Sequence, residues 1–436
     1  MRFIPGRALL LALLAPLVLG AVAMAEPSTV QAMLIVDAVI AVLALLDLAL
    51  VWRAGVVVRR EVPETVSLAR PVTVTLEVES RLKRKVTFTL NEGLFEHAEA
   101  EGLPLEIEVG AGVVRSATYK LRAMQRGEQI LGDYYVRYPS PGGFWIRQVR
   151  VPAETKLRVF PDVQAVRHYE LLARQNRDVM SSRLTKMRGG DTEFERLRDF
   201  LPDDEFRRID WRATARRNKM TVREFQLEKN QNLVFLLDCG RMMTAQWDDL
   251  TALDYALNAI LMLSHVAIRR GDQVGLVAFD EKVTRMIKPR GGNSASNRII
   301  QATYNLFPKM VESDYEQAFR TLKLHVRKRT LVVFITHAID EQTARRIQAL
   351  SRDLMPQHLP LCVSLKDREL EAKAHTRARN EEELCIQAAA AEMLLWRDRL
   401  HREMQRAGVL VLDVLHSQLT GSLVSRYLEV KARGLI

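Results

Sequence analysis

Two long apolar stretches near the start of the chain constrain it most. The first, Ala8 to Ala25, follows Arg2 and Arg7; the second, Val30 to Val51, is followed by Arg53, Arg59 and Arg60. At about 1.5 Å of helix rise per residue, each can cross a hydrocarbon core of about 30 Å. Glu26-Pro27-Ser28 between them is a turn signal. Basic residues on both outer flanks place those flanks inside, so residues 1–53 read as a transmembrane hairpin in the inner (cell) membrane, with the rest cytoplasmic. A cleaved signal peptide is the alternative, because Ala23-Met24-Ala25 has the form of an A-x-A site; the second stretch would still stop transfer. Asp37 and Asp47 interrupt the second stretch. A charge at membrane depth is costly and often functional; the plainer reading has each acid reaching interfacial water near an end of the span.

The chain has 436 residues, enough for two or three domains, and a net charge of +11. Acids and bases are interspersed along most of it, the pattern of a solvated surface. The positive excess suits an anionic membrane face. It would also suit nucleic acid, but no zinc-knuckle, RRM or helix-turn-helix pattern accompanies it. Cys239, Cys362 and Cys385 form neither an even framework nor a C-x-x-C, which reads as reduced thiols in the cytoplasm.

Residues 54–160 have strand chemistry. VTVTLEV, KVTFTL, LEIEV, ATYKL and YYVRY alternate or run β-branched and aromatic, with Gly, Pro and Asn between them. The spacing predicts a small β-sandwich. Arg126-Gly127 and Ser140-Pro141-Gly142-Gly143-Phe144-Trp145 are turn-forming. The stretch holds no evident catalytic group, and its expected role is a spacer or docking surface.

Residues 161–231 are dense in charge of both signs. On a helix, Arg208, Arg212 and Arg216 would share one face by their i, i+4 spacing. From residue 232 to residue 436, apolar strands alternate with helical stretches: LVFLLD, QVGLVAFD, VTRMIKP, LVVFITH, LPLCVSL and GVLVLDVL are strands, and Glu381 to Arg406 is a long helical arm. That alternation predicts a doubly wound α/β sheet.

The charged segment and the strand after it resemble the bacterial domain-of-unknown-function family fifty-eight. The matching positions include Phe194, Arg207, Ile209, Asp210, Trp211, Ala215 and Arg216. One departure is Asp203-Asp204-Glu205, where the family often has Gly-Asp-Asp. The resemblance implies a von Willebrand factor A-like domain over residues 232–436. It also marks Arg207, Asp210, Trp211, Arg212 and Arg216 as a family signature, read either as a docking surface or as a brace in which Asp210 forms ion pairs and Trp211 is buried.

Such domains usually hold Mg²⁺ with D-x-S-x-S in the first loop, a Thr in a later loop and an Asp after the fourth strand. The hard, small ion demands oxygen ligands. The corresponding residues here are Asp238, Gly240, Met242, Ser313 and His337, so three of the positions lack a ligating oxygen. The expectation is a degenerate site with no metal or cofactor, in which Asp238 pairs with Arg241 or caps a helix. G-x-x-x-x-G-K-[ST], G-x-S-x-G and H-E-x-x-H are all absent. Two function classes remain. The resemblance implies a membrane-anchored adaptor or scaffold, not an enzyme, working with a MoxR-type AAA+ ATPase on a protein client. The alternative is an enzyme of unrecognised type acting on envelope or phosphate-containing material. A neighbouring gene for an AAA+ ATPase would favour the first.

Overall fold

The computed structural model describes residues 2–23, 29–52, 56–82, 84–162, 193–200, 206, 209–226, 230–248, 250–337, 341–355 and 357–436. The Glu26-Pro27-Ser28 turn, Met24 and Ala25 of the A-x-A site, Arg53, Asp203-Asp204-Glu205, Arg207 and Arg208 lie outside the described residues. The chain divides into two compact units, Met1–Phe160 and Pro161–Ile436.

The first unit opens with a short strand, β1 (Arg2–Pro5), followed by helices α1 (Arg7–Ala12), α2 (Leu14–Ala23) and α3 (Val30–Val51). Among the described residues, Val30–Val51 is the one helix long and apolar enough to cross a membrane by length and composition. The first apolar stretch is shorter in helical terms, broken at Leu13 between α1 and α2. Eleven strands follow: β2 (Val56–Glu61), β3 (Thr65–Ser67), β4 (Pro71–Ser80), β5 (Val86–Glu92), β6 (Ala98–Glu101), β7 (Leu105–Val109), β8 (Val114–Ala123), β9 (Gly127–Leu131), β10 (Tyr134–Pro139), β11 (Trp145–Val151) and β12 (Thr155–Phe160). They form sheets ordered β2-β4-β8-β6, β1-β11-β10-β5-β7 and β3-β12-β9. Alternation along β4 and β5 turns Val74, Leu76, Val78, Val86, Phe88 and Leu90 inward, where they share one core with Tyr119, Leu121, Tyr134 and Val136.

Strand β1 precedes the apolar helices in sequence yet pairs antiparallel with β11, Pro5 opposite Trp145. Asp47 does not reach out from α3. It is buried, and its carboxylate accepts from the Ser140 hydroxyl, from Gly142 N at 2.7 Å and from Phe144 N at 3.1 Å. Three donors from one turn of the β-domain thus replace the interfacial water that the sequence suggested.

In the second unit β13 (Glu193–Asp199) pairs antiparallel with β14 (Thr221–Gln226), and helix α4 (Trp211–Arg217) lies between them in sequence. The rest is one mixed sheet. It contains β15 (Asn232–Asp238), β18 (Gln273–Phe279), β19 (Val283–Arg290), β20 (Thr330–Thr336), β21 (Leu359–Lys366) and β22 (Leu410–Leu415), in the order β19-β18-β15-β20-β21-β22. All neighbours are parallel except the edge strand β19. A short hairpin, β16 (Gln246–Trp247) and β17 (Leu250–Thr251), leads into α5 (Ala252–Arg269). The other helices are α6 (Asn293–Thr303), α7 (Tyr315–His325), α8 (Glu341–Leu354), α9 (Arg368–His375), α10 (Glu381–Arg406) and α11 (Leu419–Ala432).

Helices cover both sheet faces. Leu233, Phe235 and Leu237 of β15 pack with residues of α5, α6 and α11, whereas Val234 and Leu236 pack with residues of α7, α8 and α10. Burial on both faces is why β15 and β20 read as unbroken apolar runs. From β15 the chain crosses through α5 to β18 on one side; from β20 it crosses through α8 to β21 on the other. The direction of winding therefore reverses between β15 and β20. In open α/β sheets the crevice at the carboxyl ends of such a pair is the usual place for a ligand.

Candidate functional site

Asp238 ends β15 at that reversal and is fully buried. A carboxylate so placed must be satisfied by the protein, because burying it unpaired is very costly. Four donors meet it. Gly240 N lies 2.8 Å and Ser313 Oγ 2.5 Å from Oδ1; Tyr315 Oη lies 2.9 Å and Thr336 Oγ1 2.8 Å from Oδ2. Two donors on each oxygen use the whole acceptor capacity of a carboxylate. The Thr336 bond spans the reversal, tying the ends of β15 and β20 together.

The loop before α7 is laced to the loops after β15 and β18. Arg241 N donates to Val311 O at 2.9 Å, Lys309 N to Cys239 O at 2.8 Å, and Asp314 N to Asp280 O at 2.9 Å. Lys309 Nζ also pairs with the buried Asp280 carboxylate at 2.6 Å, which raises the lysine pKa. Gly240 is required by this lacing. A Cβ there would overlap Ser313 Oγ and lie 2.9 Å from Val311 O, although the φ of −84° is open to any residue.

The residues at the five positions of the implied Mg²⁺ pattern do not fit that ion. Asp238 and Ser313 are bonded to each other, Gly240 leaves no room for an oxygen-bearing side chain, and Met242 and His337 offer no hard ligand. No group of three His, Cys, Asp or Glu among the described residues is arranged to hold a metal. Asp238 neither pairs with Arg241, which is exposed, nor caps a helix. The hydroxyls of Ser313, Tyr315 and Thr336 take that part, at a buried point where Arg241 could come only by giving up its own hydration.

His337 follows Thr336 into the interior. Its ring is buried, its Nδ1 lies 3.2 Å from Leu365 O, and burial holds its pKa below the usual histidine range. Trp247 meets it edge-on at 5.2 Å and stacks on His416, also at 5.2 Å. Tyr255 packs against His416 at 4.8 Å and donates to Trp247 O at 3.1 Å. Rings from the loops after β15, β20 and β22 thus pack together beside the reversal. Cys362 is buried, and desolvation pushes its thiol up to about 12, so it is no nucleophile at neutral pH.

The signature residues lie elsewhere in the second unit. Asp210 is the N-cap of α4: Oδ1 accepts from Arg212 N and Ala213 N, both at 3.0 Å. The helix ends at Asn218 with φ of 55°, and Thr221 N returns to Thr214 Oγ1 at 3.1 Å. The cap sets the helix phase. Ala213 is the residue turned inward, and Trp211, the first helical residue, is 65% exposed. Trp211 is therefore not a buried brace. Arg212 and Arg216 are exposed one turn apart, and Phe206, 70% exposed, precedes them. Ile209 bridges to Val222 and the helix begins at Trp211, so of the three arginines the described helix carries Arg212 and Arg216. Tyr315, Thr336, Trp247 and His416 were missed by sequence reasoning; the only signal was that Tyr315 and Thr336 adjoin the pattern positions.

Residues 196–373 match the family model described as "Protein of unknown function DUF58". The match runs from β13 through the signature helix and the reversal to α9. The "Uncharacterized protein YeaD" of Bacillus subtilis (strain 168) is 23% identical over 217 residues, covering 48% of this chain and 52% of that protein. The chain thus spans about half the length of the curated relative it matches. Among solved structures, native alpha-2-macroglobulin from Escherichia coli is 15% identical, with 24% of this chain and 16% of that one covered and a TM-score of 0.21. Proximal thread matrix protein 1 from the mussel byssus is 11% identical, with 46% and 47% covered and a TM-score of 0.28. Scores this low do not establish a common fold.

Proposed function

We propose that the chain is a membrane-anchored protein-binding adaptor or scaffold, working with a MoxR-type AAA+ ATPase on envelope or membrane-associated clients. In this reading α3 anchors it in the inner membrane, its soluble units face the cytoplasm, and the β15–β22 sheet is a von Willebrand factor A-like domain whose metal pattern has become a structural knot. The observation that carries the reading is the exposed face of α4. Trp211 stands in solvent beside Arg212 and Arg216, on a helix whose cap and hairpin hold it in place. An ordered Trp–Arg surface is the composition of a protein-binding hot spot. Two guanidinium groups there suit an acidic surface on the partner, which would speed encounter and fix orientation. The Asp238 knot supports the same reading from the other side, since all four acceptor positions of the carboxylate are already taken by protein donors.

The test is a photo-crosslinking side chain introduced at Arg212 in the full chain and activated in native membranes. An AAA+ ATPase should appear among the adducts. Adducts made only with unrelated abundant proteins, in a chain that stays folded, would count against the reading.

A further inference from the structure

We infer that the end of the β-domain beside α3 is a contact surface for anionic phospholipid headgroups, held against the bilayer by Asp47. The inference rests on the reading of α3 as a membrane anchor. The last turns of α3 are part of the β-domain: Ala44, Asp47 and Val51 are buried, while Leu45, Leu46 and Leu50 on the opposite side are exposed. Besides the three bonds to Asp47, Trp145 Nε1 donates to Ala44 O at 2.8 Å, and the buried Arg147 guanidinium donates to Val51 O. Phe3 stacks on Trp52 at 5.6 Å. Helix and domain therefore meet the bilayer as one body.

The strand registers define which parts of the domain share that end. Val56, just past α3, pairs with Ser80, and Glu79 pairs with Val114. Gly112 N donates to Ser80 O at 3.0 Å. Arg84 Nη2 donates to Pro139 O at 2.5 Å, fastening the 80–86 loop to the strand that enters the turn holding Asp47. On the other flank Pro5 pairs with Trp145, and Gly6 N donates to Phe144 O at 2.7 Å, so α1 starts at the same end. Both ends of the apolar helical segment thus return to one edge of the domain.

That edge has a lipid-facing character. Arg81, Arg84 and Lys85 lie in one loop, and the neighbouring turn exposes Val113 (45%) and Val114 (53%). Lys85 is paired with Glu108 at 2.7 Å, whereas Arg81 is exposed to solvent. Guanidinium and ammonium groups around a small apolar tip suit headgroup phosphates with shallow insertion of the tip. A soluble protein partner would compete for this edge with the bilayer that the reading of α3 requires.

The full chain, with Cys385→Ser removing its exposed thiol, is labelled with an environment-sensitive fluorophore at Val113→Cys or, at the opposite end of the domain, at Arg122→Cys. Each is reconstituted in phosphatidylcholine vesicles with or without phosphatidylglycerol, carrying nitroxide lipids labelled near the headgroup. We expect the Val113 label to be quenched several-fold more than the Arg122 label when phosphatidylglycerol is present. The excess should fall to the phosphatidylcholine value in Arg81→Glu/Lys85→Glu and in Asp47→Ala. The surface double variant keeps the test sharp even if Asp47→Ala does not fold. Equal quenching at the two positions, or an excess indifferent to lipid charge and to charge reversal, overturns the proposal. A chain that fails to float with vesicles overturns the membrane reading as well, so the two failures are told apart by flotation.

Discussion

Gly240 makes room for Ser313: a Cβ at position 240 would occupy the space of the Ser313 hydroxyl, which lies 2.5 Å from Asp238 Oδ1. The serine that a D-x-S-x-S pattern would place at 240 is therefore incompatible with the closed loop. Gly240→Ser should cost about 1–3 kcal/mol, the usual penalty of forcing atoms into a packed site. It should confer no saturable Mg²⁺ binding. Urea unfolding and calorimetry with Mg²⁺ check the two halves; a stable variant that titrates would show that the loop can reopen.

Asp238→Asn keeps the shape and removes the charge. The amide NH₂ then faces hydroxyls that were donating, and a buried donor is left unmatched. A loss of about 1–3 kcal/mol follows from the cost of an unsatisfied buried group. Equilibrium unfolding with and without chelator measures it, and the loss should be the same in both conditions. A loss seen only with metal present would mean that Asp238 works through an ion.

Trp211→Ala and Asp210→Ala should separate binding from stability. With its ring in solvent, Trp211→Ala should leave stability within about 0.5 kcal/mol. Asp210→Ala removes the α4 cap and should cost about 0.5–2 kcal/mol. Thermal melts of the two variants would test the order. A large loss for Trp211→Ala would restore the buried brace.

Acid should weaken the second unit through its buried histidines. Burial holds the pKa of His337, His358 and His401 below the usual value. Above the unfolded pKa of about 6.5 both states are neutral and these groups contribute nothing. As pH falls through that value the unfolded chain takes up protons that the folded one refuses, so stability drops until the folded pKa values are reached. His337→Leu should reduce the slope of stability against pH below about 6.5. An unchanged slope would mean that His337 titrates normally.

Much of the second unit was legible in sequence because its strands are buried on both faces. LVFLLD and LVVFITH cannot be half-exposed strands, and helices of the right length separate them. The edge strand VTRMIKP also stands out, but nothing in it says antiparallel. The signature helix was readable as a helix. Its phase was not, because the Asp210 cap decides which residue faces inward and leaves Trp211 outside. The hydroxyl donors to Asp238 come from β20, the start of α7 and the loop before it, far apart in sequence, and converge only once the sheet order is known. Asp47 likewise announces an oddity in an apolar run, while its partner turn lies more than ninety residues away. The strand Arg2–Pro5 is too short to carry a pattern, and its place beside β11 is set by a pairing that no local rule anticipates.

The central claim is that α4 presents Trp211 to a protein partner while Asp238 serves structure alone. The most direct measurement compares recovery of an AAA+ ATPase from native membranes by the wild-type chain and by Trp211→Ala, with melting temperatures taken on the same preparations. The account predicts that the ATPase co-purifies with wild type, is lost at least several-fold with Trp211→Ala, and that the melting temperatures coincide. Equal recovery by both chains, or no ATPase with either, would contradict it.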